Sequence, residues 1–254
     1  MSGWLTPQWD ADARVGACMT TREGGISAPP WDSLNLGTGS GDSPDAVRAN
    51  RERLAAAIGA TPVFLRQVHG DRVVRVDAAM ASAPPEAADA SWTSEPGVAC
   101  AVLVSDCLPV LLAAPQVGAV GAAHAGWRGL AAGVVERCVE AVCAGASCAP
   151  GELVAWLGPC IGPDAFEVGA DVLQAFDVEP TPASRARFRF QPRADGDPRW
   201  RADLAGLARD RLQALGVRRI SGGPWCTVQD RSRFFSYRRD GVTGRMAAAV
   251  WIRR

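Results

Sequence analysis

The sequence has 254 residues, of which 48% are apolar and 21% charged, a balance typical of a globular protein with a sizeable core. Its 27 basic residues are all arginine and are matched by 27 acidic residues, so the formal net charge is zero. This balance excludes a global field that would draw the chain to nucleic acid or to an anionic membrane. The absence of lysine excludes a lysine Schiff base and a P-loop lysine.

Eight cysteines are scattered along the chain, and none belongs to a Cys-x-x-Cys pair. Residues 1–10 lack the basic and apolar segments of a secretory signal, and the apolar stretch 109–125 is too short to span a membrane. We therefore expect free thiols rather than a disulfide framework. We also expect a cytoplasmic monomer that binds neither a membrane nor nucleic acid.

The N-terminal part of the chain predicts loops followed by one helix. Residues 17–43 are rich in Gly, Ser, Thr, Pro and Asn, which is typical of turns and ligand-binding loops. Ser43 suits the N-cap of a helix and Pro44 suits its first turn. We therefore expect a helix from this point to Ile58.

The rest of the chain predicts alternating strands and helices. Short apolar runs between breakers indicate buried strands, two within 63–76 and one each at 100–104, 109–114, 117–123, 153–157, 219–222, 234–238 and 246–252. Apolar periodicity indicates helices at 130–144, 168–176 and 202–215. Residues 77–97 predict an exposed loop, and residues 179–200 an irregular segment. The fold class we expect is α+β: a single domain over 1–254, in which mixed β-sheets form a layered sandwich flanked by helices.

The chain contains only two histidines, His69 and His124, and each follows a predicted strand at a Gly-rich turn. Cys107 also follows a predicted strand. Two imidazoles and one thiolate are a sensible zinc set that leaves a fourth position open for water or substrate. The spacing does not separate this set from a Cys107–His124 nucleophilic dyad, or from core histidines bonded to the backbone.

Nine motifs occur in an order that makes the sequence recognisable. They are TTREGGIS (20–27), SLNLG (33–37), NR (50–51), QVHGD (67–71), SDCLP (105–109), AHAGWRG (123–129), GPCIG (158–162), DL (203–204) and FFSYRRDG (234–241). From about Ala17 to Ile252, the chain closely resembles the bacterial laccase-domain family, the polyphenol oxidase or YfiH-like proteins. That family is similar to a purine nucleoside enzyme of animal immune cells.

The resemblance implies a zinc ion held by His69, Cys107 and His124. It also implies phosphorolysis of adenosine, inosine, guanosine and methylthioadenosine, together with deamination of adenosine. Purine nucleosides and phosphate are then the small-molecule partners. Copper is less compatible with the chain than zinc, because a multicopper oxidase needs many histidine ligands and this chain has two.

The resemblance also suggests site residues. Cys107 and Asp106 are expected to be catalytic, as is Arg51, which is the first choice for binding phosphate. Arg22 is the second choice for phosphate. Asp71 is an alternative to Asp106 as proton donor.

Ser27 and Asn35 are expected to bind ribose or base. One departure from the family pattern is Gly39, which stands where relatives commonly have His, and this puts the substrate preference in doubt. Three alternatives stay open: a cysteine hydrolase acting on amides or cell-wall precursors, a copper-dependent phenol oxidase, and a non-catalytic partner of cell-division or envelope proteins with a structural zinc.

Overall fold

A computed structural model of the protein describes residues 3–184 and 186–254. The strands in this part of the chain are β1 (Val15–Met19), β2 (Thr61–Phe64), β3 (Val73–Arg75), β4 (Ala90–Thr93), β5 (Val98–Val104), β6 (Leu108–Ala113), β7 (Val120–Ala125), β8 (Val154–Leu157), β9 (Glu167–Val168), β10 (Phe188–Phe190), β11 (Trp200–Ala202), β12 (Arg219–Gly222) and β13 (Met246–Ile252). The helices are α1 (Pro44–Ile58), α2 (Trp127–Ala132), α3 (Val134–Ala146), α4 (Ala170–Ala175), α5 (Leu204–Ala214) and α6 (Tyr237–Asp240). Short 3₁₀ turns lie at Ala78–Ser82, Pro115–Val117 and Pro150–Glu152.

The strands form two large sheets and one small sheet. The four-stranded sheet has the order β1-β13-β5-β2, and the six-stranded sheet has the order β12-β8-β6-β7-β4-β3. Both are mixed: β2 pairs with β5, β12 with β8 and β3 with β4 in parallel, whereas the other pairs are antiparallel. The small antiparallel sheet has the order β10-β11-β9. The expected α+β class with mixed sheets and flanking helices is confirmed.

The two large sheets pack face to face, and helices cover their outer faces. Alternate residues of β13 divide between two layers, because successive side chains of a strand point to opposite faces. Met246, Ala248, Val250 and Ile252 pack into the core between the sheets, and Ala247, Ala249 and Trp251 pack on the side of α1. The outer face of the six-stranded sheet is covered by residues of α3 and α5. Both sheets are therefore buried on both faces, which explains the continuous apolar runs.

Several predicted elements are confirmed at or near their expected bounds. Strands β12 and β13 have the predicted limits, and α1 begins at Pro44 and ends at Ile58. Ser43 occupies the N-cap position of α1, but its side chain makes no capping hydrogen bond. The helix expected at 130–144 is divided in two at Gly133, whose φ of 98° interrupts it. In the described part of the chain, no helix has the length and apolarity needed to cross a membrane.

Three expectations for the secondary structure are wrong. Residues 234–238 form no strand: Phe234 and Phe235 are apolar because they fill the core between the sheets, and the Ser236 hydroxyl then caps α6. The segment 77–97 is not only an exposed loop, because it contains the mostly buried strand β4. The segment 179–200 contains β10 and the start of β11.

Candidate metal centre and cavity

Cys107 lies where the chain passes from one large sheet to the other. Strand β5 belongs to the four-stranded sheet and β6 to the six-stranded sheet, and residues 105–107 form the turn between them. His124 lies in β7, opposite Pro109 of the antiparallel partner β6. Sheet pairing therefore brings Cys107 and His124 together although they are distant in the sequence.

His69 reaches the same place from the loop that follows β2. Its φ of 61° is unusual for a residue other than glycine. The buried carboxylate of Asp89 holds this conformation: it accepts hydrogen bonds from the main-chain N–H groups of Val68 (3.0 Å), His69 (2.9 Å) and Gly70 (2.8 Å). One acidic side chain therefore fixes the whole turn.

Asp89 also fixes the second histidine. Its Oδ1 lies 2.8 Å from Nδ1 of His124, and both side chains are almost fully buried. A carboxylate on one ring nitrogen orients the imidazole and leaves the other nitrogen available to a metal. Burial raises the pKa of Asp89, but the hydrogen bonds from His124, Gly70 and Val68 outweigh it and lower this pKa overall.

The three side chains fit a metal ion. Among the described residues, the ligand atoms of His69, Cys107 and His124 all lie within 4.8 Å of one another. Sγ of Cys107 is 3.8 Å from Nε2 of His69, close to the ligand–ligand edge of about 3.6 Å that tetrahedral Zn–N and Zn–S bonds imply. The two imidazole rings meet edge to face with centroids 4.8 Å apart. His69 is exposed, Cys107 is half-buried and His124 is buried, so the set opens to one side.

The electrostatics of the site favour the thiolate. Burial raises the pKa of Cys107, but His124 and then His69 outweigh it, so this pKa is lowered overall. For His124, burial lowers the pKa, but the Cys107 sulfur and the Asp89 carboxylate raise it overall. A thiolate is the form of cysteine that binds metals and acts as a nucleophile.

Gly126 keeps the space between the ligands open. A Cβ at this position would lie 3.0 Å from Sγ of Cys107 and 3.0 Å from Cδ2 of His69. Gly129 allows a second close approach, because a Cβ there would lie 2.8 Å from the carbonyl oxygen of Gly70. The two glycines that follow His124 are therefore required because a larger side chain at either position would collide with the neighbouring groups.

The three ligands lie at a cavity of about 570 Å³, a volume typical of small-molecule sites. Its lining comes from several separate parts of the chain: residues 37–40, 65–67, 69, 103–107, 124, 127, 161, 166, 204, 237, 238 and 245. The charged side chains of the lining, besides the histidines and Cys107, are Arg66, Asp106, Arg238 and Arg245. Tyr237, which is 61% exposed, and Trp127 contribute aromatic rings.

Asp106 connects the cavity wall to the C-terminal loops. Its carboxylate accepts hydrogen bonds from Thr227 Oγ1 (2.6 Å), Ser236 Oγ (2.7 Å) and the main-chain N–H of Arg238 (2.7 Å). The amide of Gln67 connects the wall to β5 in a similar way, since it donates to the carbonyl of Leu103 and accepts from its N–H. The walls of the cavity are thus held by hydrogen bonds of Asp106 and Gln67.

The structure brings some predicted site residues to the cavity and not others. The predicted metal set and Asp106 line it. Arg51 does not: its Nε donates to the carbonyl of Leu36 and its guanidinium lies 4.1 Å from the ring centroid of Phe64. Arg22 lies over Phe235 and pairs with Asp32.

The predicted ribose or base ligands also lie behind the cavity wall. Ser27 donates to Asp42, and Nδ2 of Asn35 donates to Ser40, which lines the cavity. Asp71 pairs with Arg137 at 2.8 Å and is not part of the lining.

Sequence reasoning missed Asp89 and Arg245. Asp89 lies in an Ala- and Pro-rich segment that predicted a loop. The small residues on both sides of it and the β-prone Ser-Trp-Thr that follows were the signal that this segment enters a buried strand. Arg245 precedes the apolar strand β13 directly. Its position next to a buried strand was a weak sign that the side chain is partly enclosed.

Comparisons with known proteins identify the family of the chain. The profile of the family described as multi-copper polyphenol oxidoreductase laccase matches residues 16–253. A Pseudomonas aeruginosa protein named purine nucleoside phosphorylase is 49% identical over 253 residues, covering 99% of both chains. Purine nucleoside phosphorylase YfiH of Escherichia coli is 47% identical over 254 residues, covering 99% of this chain and all of the relative.

Solved structures are similar over the same length. A Neisseria meningitidis protein superposes with a TM-score of 0.88 at 46% identity, and all of both chains is covered. YlmD of Geobacillus stearothermophilus superposes with a TM-score of 0.89 at 34% identity, covering 99% of this chain and 97% of that one. The matched motifs, the fold and the full-length similarity lead to one conclusion: this chain belongs to the laccase-like family that includes the YfiH proteins.

Proposed function

We propose that the protein is a zinc-dependent purine nucleoside phosphorylase that acts on adenosine, inosine, guanosine and methylthioadenosine and also deaminates adenosine. The observation that carries this proposal is the His69–Cys107–His124 group at a cavity whose lining has three arginines and one carboxylate. The names of the relatives support the reaction. We further propose that residues 1–254 act as one catalytic domain, since the cavity takes residues from Gly37 to Arg245.

Zinc is the metal that we favour for the His69–Cys107–His124 group. Two imidazoles and one thiolate suit zinc, and Asp89 orients His124 as metal-binding histidines require. When bound, the ion would supply a Lewis acid that polarises a substrate oxygen or nitrogen and activates water for deamination. The family description mentions several coppers, but two histidines are too few for the trinuclear centre of a multicopper oxidase.

The protein side chains supply binding and orientation. In phosphorolysis an oxygen of hydrogen phosphate bonds to C1′ of the ribose, the C1′–N9 bond breaks with its electron pair going to the purine, and the purine takes up the proton. The exposed ring of Tyr237 and the indole of Trp127 are suited to stack against a purine. Of the two carboxylates considered as proton donor, only Asp106 lines the cavity, and its three hydrogen bonds favour a role in positioning the wall.

A cysteine hydrolase is the second candidate, and one observation favours it. The neighbouring imidazoles lower the pKa of Cys107, and its sulfur lies 3.8 Å from Nε2 of His69. A thiolate beside an imidazole is the arrangement that a nucleophilic dyad needs. The two candidate functions differ in what metal removal does to activity.

The experiment follows adenosine, inosine, guanosine and methylthioadenosine with the purified protein, with and without phosphate. The expected results are free base and the sugar 1-phosphate appearing only with phosphate, and inosine appearing from adenosine without it; the sugar product is ribose 1-phosphate, or methylthioribose 1-phosphate from methylthioadenosine. Absence of all products above the level of a Cys107→Ala variant would overturn the proposed nucleoside activity. About one zinc per chain, lost in His69→Ala, is expected by mass spectrometry. Full nucleoside turnover after chelation would favour a metal-independent Cys107–His124 dyad. Phenol oxidation that depends on copper would favour the oxidase.

A further inference from the structure

Arg245 is a half-buried arginine on the cavity wall that has no acidic partner. Its Nη1 donates to the carbonyl oxygens of Thr243 and Gly244, each at 3.0 Å, and its guanidinium lies 5.9 Å from the ring centroid of Tyr237. Among the described residues, no carboxylate lies within ion-pair distance of it. Carbonyl dipoles and one aromatic ring are its contacts, and they do not provide the compensation that a paired anion would give a partly desolvated cation.

The position of this arginine is fixed before any ligand binds. Oδ1 of Asn35 accepts hydrogen bonds from the main-chain N–H of Arg245 (2.8 Å) and from that of Gly37 (3.0 Å). Gly37 also leaves room for the arginine, because a Cβ there would lie 2.6 Å from Cγ of Arg245. Asn35 and Gly37 therefore hold the stem of Arg245 against the loop that forms one wall of the cavity.

The arginines that line the cavity outnumber its carboxylates, so a bound anion would balance their charge. The other cations of the lining are Arg66 and Arg238, and one guanidinium nitrogen of Arg238 already donates to the carbonyl of Glu167. The only carboxylate of the lining, Asp106, already accepts three hydrogen bonds. Arg245 and the three predicted metal ligands line the same cavity. Burial lowers the pKa of Arg245, and the negative charges of a Cys107 thiolate and of Asp106 oppose this.

We propose that Arg245, together with Arg238 of the same cavity lining, forms the subsite that binds inorganic phosphate in the cavity of the His69–Cys107–His124 group. The planar guanidinium offers parallel N–H donors that match two oxygens of a tetrahedral oxyanion. The proposal rests on the proposed function for the role of phosphate as nucleophile, but phosphate binding itself is measurable without any nucleoside. It assigns to Arg245 the task that the sequence had suggested for Arg51.

The chain offers a matched control in Arg209. This arginine is also half-buried and donates to two carbonyl oxygens, those of Ile220 (3.1 Å) and Gly222 (3.0 Å). It does not line the cavity. Replacing Arg209 therefore removes the same kind of side chain and the same kind of hydrogen bonds without touching the proposed subsite.

The test is calorimetric titration of the zinc-loaded protein with inorganic phosphate in the absence of nucleoside. Arg245→Gln is expected to weaken binding by about tenfold or more, because it removes charge-assisted hydrogen bonds. Arg245→Lys keeps the charge without the fork and is expected to weaken binding less. Arg209→Gln is expected to bind as the wild type does. Zinc content is measured in each variant and is expected to stay constant.

Three results would overturn the subsite: no phosphate binding by the wild type, binding by Arg245→Gln within twofold of the wild type, or equal weakening in Arg209→Gln. If Arg245→Gln does not fold, Arg245→Lys decides alone, and an unchanged dissociation constant overturns the proposal. The protein could bind phosphate in a way that depends on Arg245 and yet turn over no nucleoside. That result would overturn the proposed function but would support the phosphate subsite. With turnover, Arg245→Gln is expected to raise KM for phosphate by a larger factor than KM for the nucleoside.

Discussion

Replacing Asp89 by asparagine tests the organisation of the metal centre most directly. The carboxylate is fully buried and accepts four hydrogen bonds: Oδ1 from the N–H of His69 and from Nδ1 of His124, and Oδ2 from the N–H groups of Val68 and Gly70. An amide of the same shape keeps one of these oxygens and puts an NH₂ group where the other was. Two of the four bonds are therefore lost, and the new NH₂ group faces N–H donors that have no acceptor.

The magnitude follows from the number of bonds lost. A hydrogen bond to a charged group contributes about 1.5–3 kcal/mol, so the loss of two predicts a fall of about 3–6 kcal/mol in the free energy of unfolding. Removing the carboxylate that orients a metal-binding histidine typically lowers metal affinity by about 10–100-fold. Asp89→Asn should therefore weaken both the fold and zinc binding.

The assay combines urea unfolding of metal-free protein with zinc competition against a chromophoric chelator. Asp71→Asn is the control, because Asp71 is half-exposed and pairs only with Arg137 on the surface. Such exposed pairs contribute about 0–1 kcal/mol, so this variant should keep wild-type zinc affinity. If Asp89→Asn binds zinc within threefold of the wild type, Asp89 does not organise the site as argued.

Three further predictions concern single positions. Gly126→Ala should lower zinc affinity by at least about tenfold, because the Cβ of the new alanine would lie 3.0 Å from Sγ of Cys107. An unchanged zinc affinity would refute this steric argument. Burial raises the pKa of Cys18 and of Cys100 to about 12, so both stay protonated at pH 8, and iodoacetamide mapped by mass spectrometry should label them only after unfolding. Labelling of either in the native protein would contradict this. Gly39→His should change the free energy of unfolding by no more than about 0.5 kcal/mol, because a Cβ there meets no atom within 4 Å. The same substitution should alter KM for nucleosides, because it places an imidazole at the cavity wall. An unaltered KM for every nucleoside tested would count against Gly39 as a position that limits the cavity.

The metal set could be proposed from the sequence because the chain has so few candidates. Two histidines beside glycines, and one cysteine at the end of an apolar run, left little choice of ligands. The resemblance to a known family then implied that these three residues bind one metal ion. The same scarcity counts against a multicopper centre, since such a centre needs more imidazole ligands than this chain contains.

Secondary structure was predictable where local pattern and tertiary environment agree. Strand β13 is apolar throughout because both of its faces are covered, and α1 begins at a proline and ends before a glycine in the left-handed region. Phe234 and Phe235 show the limit of this reasoning. Their apolar character reports burial, and burial does not distinguish a strand from a loop that lies in the core.

The roles of the arginines and of Asp89 were decided only by the tertiary structure. Arg51 and Arg245 are the same residue type, but the guanidinium of Arg51 lies over Phe64 behind the wall, whereas Arg245 lines the cavity. Asp89 acts on His69 and His124 from 20 and 35 residues away, through contacts that exist only once β4 pairs with β7. The sequence by itself limited the candidate imidazole ligands to two histidines, and the family resemblance added Cys107 to them as a metal set. The folded chain determined which polar groups orient them and which arginines line the cavity, because hydrogen bonds and burial depend on neighbours that are distant in the sequence.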